Sequence, residues 1–262
     1  MKIGVIGLGV VGGAVFKAFK KLNNNCFGLD ISNQHEKQKL LKQDIIYICL
    51  PTNFTKKKLN TRLISSYLDY LDKNSYPFTV AIKSTLNPGN IIYFQKKYKK
   101  LNKKICYVPE FLKERTAYKD FTKNHDLLIV GSNHKKSTEK IILNHGTLPK
   151  RKIVLRPQEA ELVKLFSNSY NALRVTFANS FYELCLSANS NYEKVLNSYL
   201  LRGLSSGHYL SCNKNLRGFG GKCLPKDLKC INYFIKSKNK NIHFFDDILR
   251  QNSKFKISIK KK

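Results

Sequence analysis

The amino-terminal segment restricts the fold more than any other part of the chain, because a strand pattern, a glycine turn and a helix pattern follow one another without a gap. Residues 2–6, KIGVI, form a short apolar run typical of a buried strand. The turn GLGVVG leads directly into the periodic apolar segment VVGGAVFKAFKKL. Its glycines permit a tight turn and let a pyrophosphate approach the helix N-terminus, where N–H groups favour negative charge. The segment therefore predicts a dinucleotide site formed by Gly7, Gly9, Val10, Val11 and Gly12.

A second strand pattern, CFGLD, ends at Asp30, eighteen residues after Gly12. An acidic side chain at this place can accept hydrogen bonds from the ribose hydroxyls of NAD, and it repels the additional phosphate of NADP. We therefore expect NAD as the cofactor. The alternative is an ordinary aspartate between a strand and a loop.

Later apolar runs extend the same pattern. The run DIIYICL at 44–50 is typical of a central parallel strand buried on both faces, and Pro51 and Thr52 end it at the carboxyl edge, where such sheets bind ligands. These runs predict an α/β fold whose N-terminal part is a Rossmann-type doubly wound parallel sheet. Further strands are predicted within 77–85, from 105 onward and at 125–132, the last of the sheet, and helices at 61–72, 90–100 and 134–145.

An all-α central domain is predicted to follow the sheet. Residues 159–189 contain neither proline nor glycine and are amphipathic, which predicts one long helix, with shorter helices after it. The expected organisation is an NAD-binding domain at 1–155, a helical central domain at 156–250 and a basic C-terminal tail at 251–262.

Charge narrows the classes of partner. Basic residues outnumber acidic ones by 48 to 17, so the net charge of +31 attracts anionic ligands. Forty of the basic residues are lysine, whereas phosphate and base recognition favours arginine, so we expect solvated lysines rather than a nucleic-acid surface. No apolar run reaches the ~18 residues of a membrane helix, and the N-terminus enters a strand at once instead of a signal peptide. We therefore expect a cytoplasmic protein without membrane contact.

Cys223 is the cysteine with the most informative surroundings. The seven cysteines include no CxxC pair, so neither a disulfide framework nor a metal site is expected. Cys223 lies in GFGGKCLPKD, whose glycines allow a ligand to come close. A thiol just before a helix N-terminus ionises more readily, and Asp227 is expected to cap that helix. The alternative is a buried structural cysteine in a turn.

Three polar residues share one face of the predicted long helix. Glu161, Lys164 and Asn168 are spaced i, i+3 and i+7. Lys164 and Asn168 are one turn apart and can converge on one oxygen atom. The alternative is a solvated surface pair.

Together these motifs closely resemble those of the UDP-glucose/GDP-mannose dehydrogenase family. The resemblance covers nearly the whole chain but only the first two domains of the family, so we expect a short form that lacks the C-terminal UDP-binding domain and turns over weakly. The motifs that carry it are GFGGKCLPKD at 218–227, PTN at 51–53, KSTLNPG at 83–89, PEFLKER at 109–115, ELVKLFSN at 161–168 and RGLSSGH at 202–208.

The resemblance implies an NAD-dependent oxidation of UDP-glucose to UDP-glucuronate by two hydride transfers. It implies that Cys223 is the nucleophile and that Lys164 and Asn168 stabilise the oxyanion. It also implies that Thr85 and Asp227 position the water or take the proton, and that the two acids of PEFLKER assist thioester hydrolysis. The catalytic residues implied in this way are Cys223, Lys164, Asn168, Asp227, Thr85, Glu110 and Glu114.

The resemblance also implies binding residues and an assembly. It adds Pro51, Thr52 and Thr85 to the cofactor contacts, and it implies a homodimer formed through the long helix. The implied substrate contacts are Phe111, Leu112, Lys164, Asn168, Arg202, Phe219 and Gly220.

Two other functions stay open. A β-hydroxyacid dehydrogenase also combines a glycine turn with a lysine and an asparagine on a later helix, but it transfers one hydride and needs no cysteine. A truncated relic or a basic binding protein would use the same fold without turnover. The number of NADH molecules formed per substrate separates these functions from a dehydrogenase that oxidises the alcohol to the acid.

Overall fold

A computed structural model describes residues 1–22, 25–55, 58–204, 206–207, 209–221 and 223–257. Residues 258–262 of the expected basic tail and Lys222 of the cysteine motif lie outside these ranges. The strands in the described residues are β1 (Ile3–Ile6), β2 (Cys26–Leu29), β3 (Ile45–Ile48), β4 (Phe54–Thr55), β5 (Lys58–Leu59), β6 (Thr79–Ile82), β7 (Ile105–Tyr107), β8 (Leu127–Gly131) and β9 (Arg151–Leu155).

The helices alternate with these strands and then continue alone. A 3₁₀ segment, Ile31–Lys42, lies between β2 and β3. The α-helices are α1 (Val10–Leu22), α2 (Arg62–Lys73), α3 (Asn90–Lys97), α4 (Ala117–Thr122), α5 (Lys135–His145), α6 (Pro157–Ser187), α7 (Tyr192–Leu200), α8 (Leu224–Ser237) and α9 (Phe244–Asn252).

The main sheet has the strand order β2-β1-β3-β6-β7-β8-β9. The pairs from β2 to β7 and the pair β8 with β9 are parallel, and β7 pairs with β8 in the antiparallel sense. Strands β1, β3 and β6 are buried along their whole length because helices cover both faces of the sheet. This arrangement confirms the expected Rossmann-type α/β fold.

The prediction that residues 125–132 form the last strand of the sheet was wrong. Strand β9 pairs with β8 and forms the edge of the sheet. Its residues are largely exposed, and Arg151 and Lys152 open it. Charged residues are typical of an edge strand, but in the sequence they resemble a basic linker.

The chain divides into two compact units. Unit 1 comprises Met1–Thr52 and Leu59–Lys164, and unit 2 comprises Asn53–Lys58 and Leu165–Lys262. The division falls within α6, whereas the predicted domain boundary at 155/156 falls just before that helix. Unit 1 is the sheet with its helices, and unit 2 is mainly helical.

Each unit has its own apolar core. In unit 1, residues from both faces of the sheet are buried in two clusters, one containing Ile48 and Ile82 and the other Val5 and Tyr47. In unit 2, Phe219 packs with α6, α8 and α9. Full burial of such a side chain stabilises the fold by about 2 kcal/mol. None of the helices in the described part of the chain combines the length and apolar composition that crossing a membrane requires.

Candidate active site

The glycine turn between β1 and α1 packs backbone against backbone. Gly7 has a φ of +84°, and a Cβ atom on it would lie 2.8 Å from the carbonyl oxygen of Cys49. A Cβ atom on Gly12 would lie 1.7 Å from the carbonyl oxygen of Gly7. A side chain at Gly7 would therefore push the turn away from Cys49, and one at Gly12 would push the start of the helix away from Gly7.

The first turn of α1 presents backbone donors beside open space. The amide of Gly13 donates to the carbonyl of Gly9 at 2.7 Å, so the N–H groups of Val10, Val11 and Gly12 precede the first helical bond. A Cβ atom on Gly9 would have no neighbour within 4 Å. Together with the helix dipole, this geometry fits a pyrophosphate.

Asp30 is fixed beside the same turn. Its Oδ2 accepts a hydrogen bond from the Leu8 amide at 2.8 Å, and its Oδ1 accepts one from the Ile31 amide at 2.7 Å. The Asp30 amide in turn donates to Asn33 Oδ1 at 2.8 Å. A carboxylate held at the end of β2 fits the ribose hydroxyls of a dinucleotide, as expected for NAD.

The ends of β3 and β6 are joined at the carboxyl edge of the sheet. The Thr52 hydroxyl is buried and donates to the Thr85 carbonyl at 2.8 Å. Pro51, just before Thr52, is exposed. The structure thus brings together two of the residues predicted to bind the cofactor, in the segments that follow neighbouring strands of unit 1.

Lys164 contacts the loop that follows β7. Its Nζ donates to the Glu110 carbonyl oxygen at 2.7 Å and lies 3.5 Å from Glu110 Oε1. The ammonium group is 5.5 Å from the centroid of the Phe111 ring, and the Leu112 amide donates to Glu110 Oε2 at 2.8 Å. Glu114, further along the loop, is exposed. Four predicted site residues therefore lie together in unit 1.

A buried lysine outside the set of predicted site residues holds the start of this loop. Lys83 is 3% exposed, and its Nζ donates to the Val108 carbonyl at 3.3 Å. Burial lowers the pKa of the Lys83 ammonium group. The signal was a lysine inside the apolar run PFTVAIKST, where an uncompensated charge is costly.

In unit 2, Cys223 lies at the N-cap position of α8 and is exposed. Its carbonyl accepts the first helical hydrogen bond, from the Asp227 amide at 3.0 Å. The alternative of a buried structural cysteine is therefore wrong.

Asp227 does not cap α8, contrary to expectation, because it lies one turn inside the helix. Its side chain is fully buried, and its Oδ2 accepts a hydrogen bond from the side-chain amide of Asn168. Lys226 Nζ lies 2.8 Å from Asp227 Oδ1. The carboxylate is thus compensated within unit 2, and it orients the Asn168 amide.

The glycines of the cysteine motif make room mainly for other parts of unit 2. A Cβ atom on Gly220 would lie 2.5 Å from Ile257 Cγ2, and one on Gly218 would lie 3.0 Å from Asn252 Oδ1. Only Gly221, with a φ of +77°, has open space beside it. The absence of a side chain at Gly218 and Gly220 thus accommodates Asn252 and Ile257, and the role of Gly220 in substrate binding stays a prediction.

Two more predicted substrate contacts lie in unit 2. Phe219 is buried, and both its amide and its carbonyl are hydrogen-bonded to the Asn252 side chain at 2.9 Å. Arg202 is exposed just after α7. The substrate role of both residues stays a prediction.

A parallel sheet with a glycine turn after its first strand and a fixed acid after its second defines a dinucleotide-binding protein. The chain belongs to the UDP-glucose/GDP-mannose dehydrogenase family. Residues 33–144 match the NAD binding domain of that family, and residues 158–254 match its central domain.

Similar proteins agree with this membership. The UDP-glucose 6-dehydrogenase of Rickettsia prowazekii is 28% identical over 219 residues, which cover 80% of this chain and 49% of that protein. The chain thus spans about half the length of this curated relative. A UDP-glucose dehydrogenase structure from Pyrobaculum islandicum has a TM-score of 0.85 at 21% identity, covering 97% of this chain and 68% of that one.

A third similar protein shows how widely the fold is shared. The Mycobacterium tuberculosis 3-hydroxyisobutyrate dehydrogenase structure has a TM-score of 0.78 at 10% identity, covering 97% of this chain and 92% of that one. Because this fold serves different dehydrogenases, the fold alone does not define the substrate.

Proposed function

We propose that this chain catalyses the NAD-dependent oxidation of the C6 alcohol of a nucleotide sugar, UDP-glucose, to a carboxylate. The observation that carries the proposal is the exposed Cys223 at the N-cap of α8, one turn before the buried Asp227 that orients Asn168. Family membership and the UDP-glucose 6-dehydrogenases among its relatives support the substrate class.

The cysteine accounts for an oxidation that continues past the aldehyde. Each of the two oxidations would need its own NAD molecule as hydride acceptor, held in turn at the glycine turn and Asp30. The Cys223 thiolate adds to the aldehyde carbon to give a thiohemiacetal, which becomes a thioester when its carbon loses the second hydride. Water then releases the acid and restores the thiol. The net change consumes one alcohol, one water and two NAD, and yields one carboxylate, two NADH and three protons.

Lys164 and Asn168 are proposed to stabilise the oxygen that becomes negative during these steps. An ammonium and an amide N–H are suitable donors, and stabilisation of developing charge is a large part of catalysis. A primary amide has two donors, so one oriented by Asp227 can still donate to a reacting oxygen. The bond from Lys164 to the Glu110 carbonyl restrains its ammonium group.

The remaining groups are proposed to manage water and protons. Thr85 and Asp227 would position the hydrolytic water or take its proton, and Glu110 and Glu114 would assist hydrolysis of the thioester. In support, the Thr85 backbone is fixed by Thr52.

An assay of the purified chain with NAD and a panel of UDP- and GDP-sugars tests the proposal. UDP-glucose should yield two NADH per sugar, and Cys223→Ser should abolish formation of the uronic acid without loss of NAD binding. Cys26→Ser is the matched control, because Cys26 is half-buried on β2. One NADH per substrate would indicate a β-hydroxyacid-type reaction, and NAD binding without turnover would indicate a relic.

A homodimer through α6 is also proposed. Phe166, Tyr170, Phe177 and Leu184 are between 48% and 72% exposed on this helix. Exposed apolar patches of this kind are typical of protein interfaces. Light scattering should give twice the chain mass of 30.2 kDa, and Phe177→Asp should give the monomer mass. A monomeric unmodified chain would contradict the proposal.

A further inference from the structure

Glu161 is a buried acid that the proposed mechanism leaves without a role. It lies in unit 1 on α6, one turn before Lys164, and its exposure is 0%. Acids are almost never fully buried unless they are paired. Its partners therefore indicate what it does.

Its partners are backbone amides at the start of α3. Glu161 Oε2 accepts a hydrogen bond from the Gly89 amide at 2.6 Å, and Oε1 accepts one from the Ile91 amide at 2.8 Å. Gly89 is the N-cap residue of α3, with a φ of +91° and no side chain that could cap the helix. Glu161 supplies this cap from a distant part of the sequence, and its charge complements the helix dipole.

The capped segment leads back to Thr85. Residues 85–89 are the last part of the connection between β6 and α3, and the Leu86 side chain within them is fully buried. Asn87 Oδ1 also accepts a hydrogen bond from the Leu59 amide at 3.0 Å. With Thr52 bonded to the Thr85 carbonyl, the segment is held at both ends.

Burial of Glu161 opposes the ionised form of its carboxyl group. Burial raises the pKa of Glu161 to about 7, against the amides of Gly89, Asn90 and Ile91, which lower it. The carboxylate thus costs stability at pH 8, where it is ionised. Ionisable groups with strongly shifted pKa values are common at functional sites.

We propose that Glu161 is a positioning residue whose carboxylate fixes the 85–89 segment to the helix that carries Lys164, so that Thr85 and Lys164 keep a constant separation. The anchor itself is independent of the reaction, whereas its effect on turnover rests on the function proposed above. Glu161 need not touch the substrate.

The first test measures the anchor without any assay of activity. In Glu161→Gln, one of the two accepting oxygens is replaced by an NH2 group, which donates and does not accept, so one of the two backbone N–H groups loses its partner. Hydrogen exchange at Gly89 and Ile91 should accelerate about tenfold at pH 8, while exchange in the central strands stays unchanged. Glu159→Gln is the control, because Glu159 lies on the same helix but is bonded to Arg156 at the surface. Unchanged exchange at Gly89 and Ile91 would overturn the anchor.

The second test measures turnover with NAD and UDP-glucose. Glu161→Gln should lower kcat about tenfold with a smaller change in the KM for NAD, because misplacement of Thr85 affects the chemical step. Glu159→Gln should keep the original kcat. An active wild type with unchanged kcat in Glu161→Gln would overturn the positioning role, whereas an inactive wild type would contradict the proposed function and leave the exchange result to decide the anchor.

A second variant tests the proposal if Glu161→Gln does not fold into a cooperative native structure. Glu161→Asp keeps the charge but withdraws the carboxylate by one methylene group. It should give the same local increase in exchange at Gly89 and Ile91. Protection equal to that of the wild type would overturn the proposal.

Discussion

Glycines at 7, 9 and 12 shape one turn, and glycines at 218, 220 and 221 shape another, but different atoms fill the space beside them. In the first turn, Gly7 and Gly12 face backbone carbonyl oxygens. In the second, Gly218 and Gly220 face the side chains of Asn252 and Ile257. Backbone atoms cannot move aside without displacing a strand or helix, whereas a side chain can rotate or be shortened.

The two units also differ in how they fix their site loops. In unit 1, buried charged groups hold them, since Glu161 caps α3 and Lys164 holds Glu110. In unit 2, a neutral amide, Asn252, holds Phe219. The contribution of Glu161 to the stability of unit 1 should therefore depend on pH, whereas the contribution of Asn252 to the stability of unit 2 should not.

Gly12→Ala should produce the largest effect. Its Cβ atom would lie 1.7 Å from the Gly7 carbonyl oxygen, which is part of the backbone. We expect a loss of more than ~3 kcal/mol in the free energy of unfolding, or failure to fold. Denaturant titration of the variant measures this loss, and a loss below that of Gly220→Ala would break the distinction between the two turns.

The second prediction compares Glu161→Gln with the wild type as pH changes. The pKa of Glu161, about 7, lies above its ordinary value of 4.5, so the native state favours the neutral acid. That contribution to stability is fully present below about pH 4.5 and is lost as pH rises through about 7. The free energy of unfolding of Glu161→Gln, taken relative to that of the wild type, should therefore rise by up to roughly 3 kcal/mol from pH 5 to pH 8.

Denaturant titrations at both pH values measure this gain, with two controls. Glu159→Gln should show none, because Arg156 lowers the pKa of Glu159 below this range. Asn252→Ala should cost about 1–3 kcal/mol at either pH, since it leaves the buried backbone groups of Phe219 unpaired. A constant difference between Glu161→Gln and the wild type would contradict the prediction.

Gly220→Ala should cost about 1–3 kcal/mol, because its Cβ atom meets the Ile257 side chain. Shortening that side chain should relieve the clash. The double variant Gly220→Ala with Ile257→Ala should then be more stable than the sum of the two single changes indicates. Thermal unfolding of the four proteins measures the coupling, and strict additivity would show that Ile257 does not fill this space in solution.

The smallest effects are expected where a glycine has open space. Gly221→Ala should cost about 1 kcal/mol, because its φ of +77° is unfavourable for alanine.

Gly9→Ala should change stability by less than about 0.5 kcal/mol, because no positive φ and no neighbour oppose it. It should still weaken NAD binding, since its Cβ atom would project where the pyrophosphate is expected. Titration with NAD checks this, and unchanged affinity would place the dinucleotide elsewhere.

Local patterns predicted much of the fold. The elements β1, α1 and α6 were predictable because apolar periodicity and turn residues lie within the same few residues. Strand β9 was missed because an exposed edge strand has no apolar alternation. No helix was predicted at α4, because its six residues are too few to show a clear apolar periodicity.

The site was predicted as residue types but not as contacts. Glu161 was recognised as sharing a face with Lys164, yet its partner Gly89 is 72 residues away. Asp227 was expected to cap its own helix, but it bonds to Asn168, 59 residues away. Such pairings depend on how the elements pack, which no local pattern encodes.

The exposed position of strand β9 affects how the chain can associate with other molecules. Ile153 and Val154 are more than 40% exposed on this strand, whose outer backbone edge could extend the sheet with a strand from another molecule. Arg151 and Lys152 lie directly before them. Their charges oppose the approach of a second copy of the same edge, as gatekeeper residues do. The basic run that hides this strand in the sequence is therefore expected to disfavour edge-to-edge pairing of two copies of the chain.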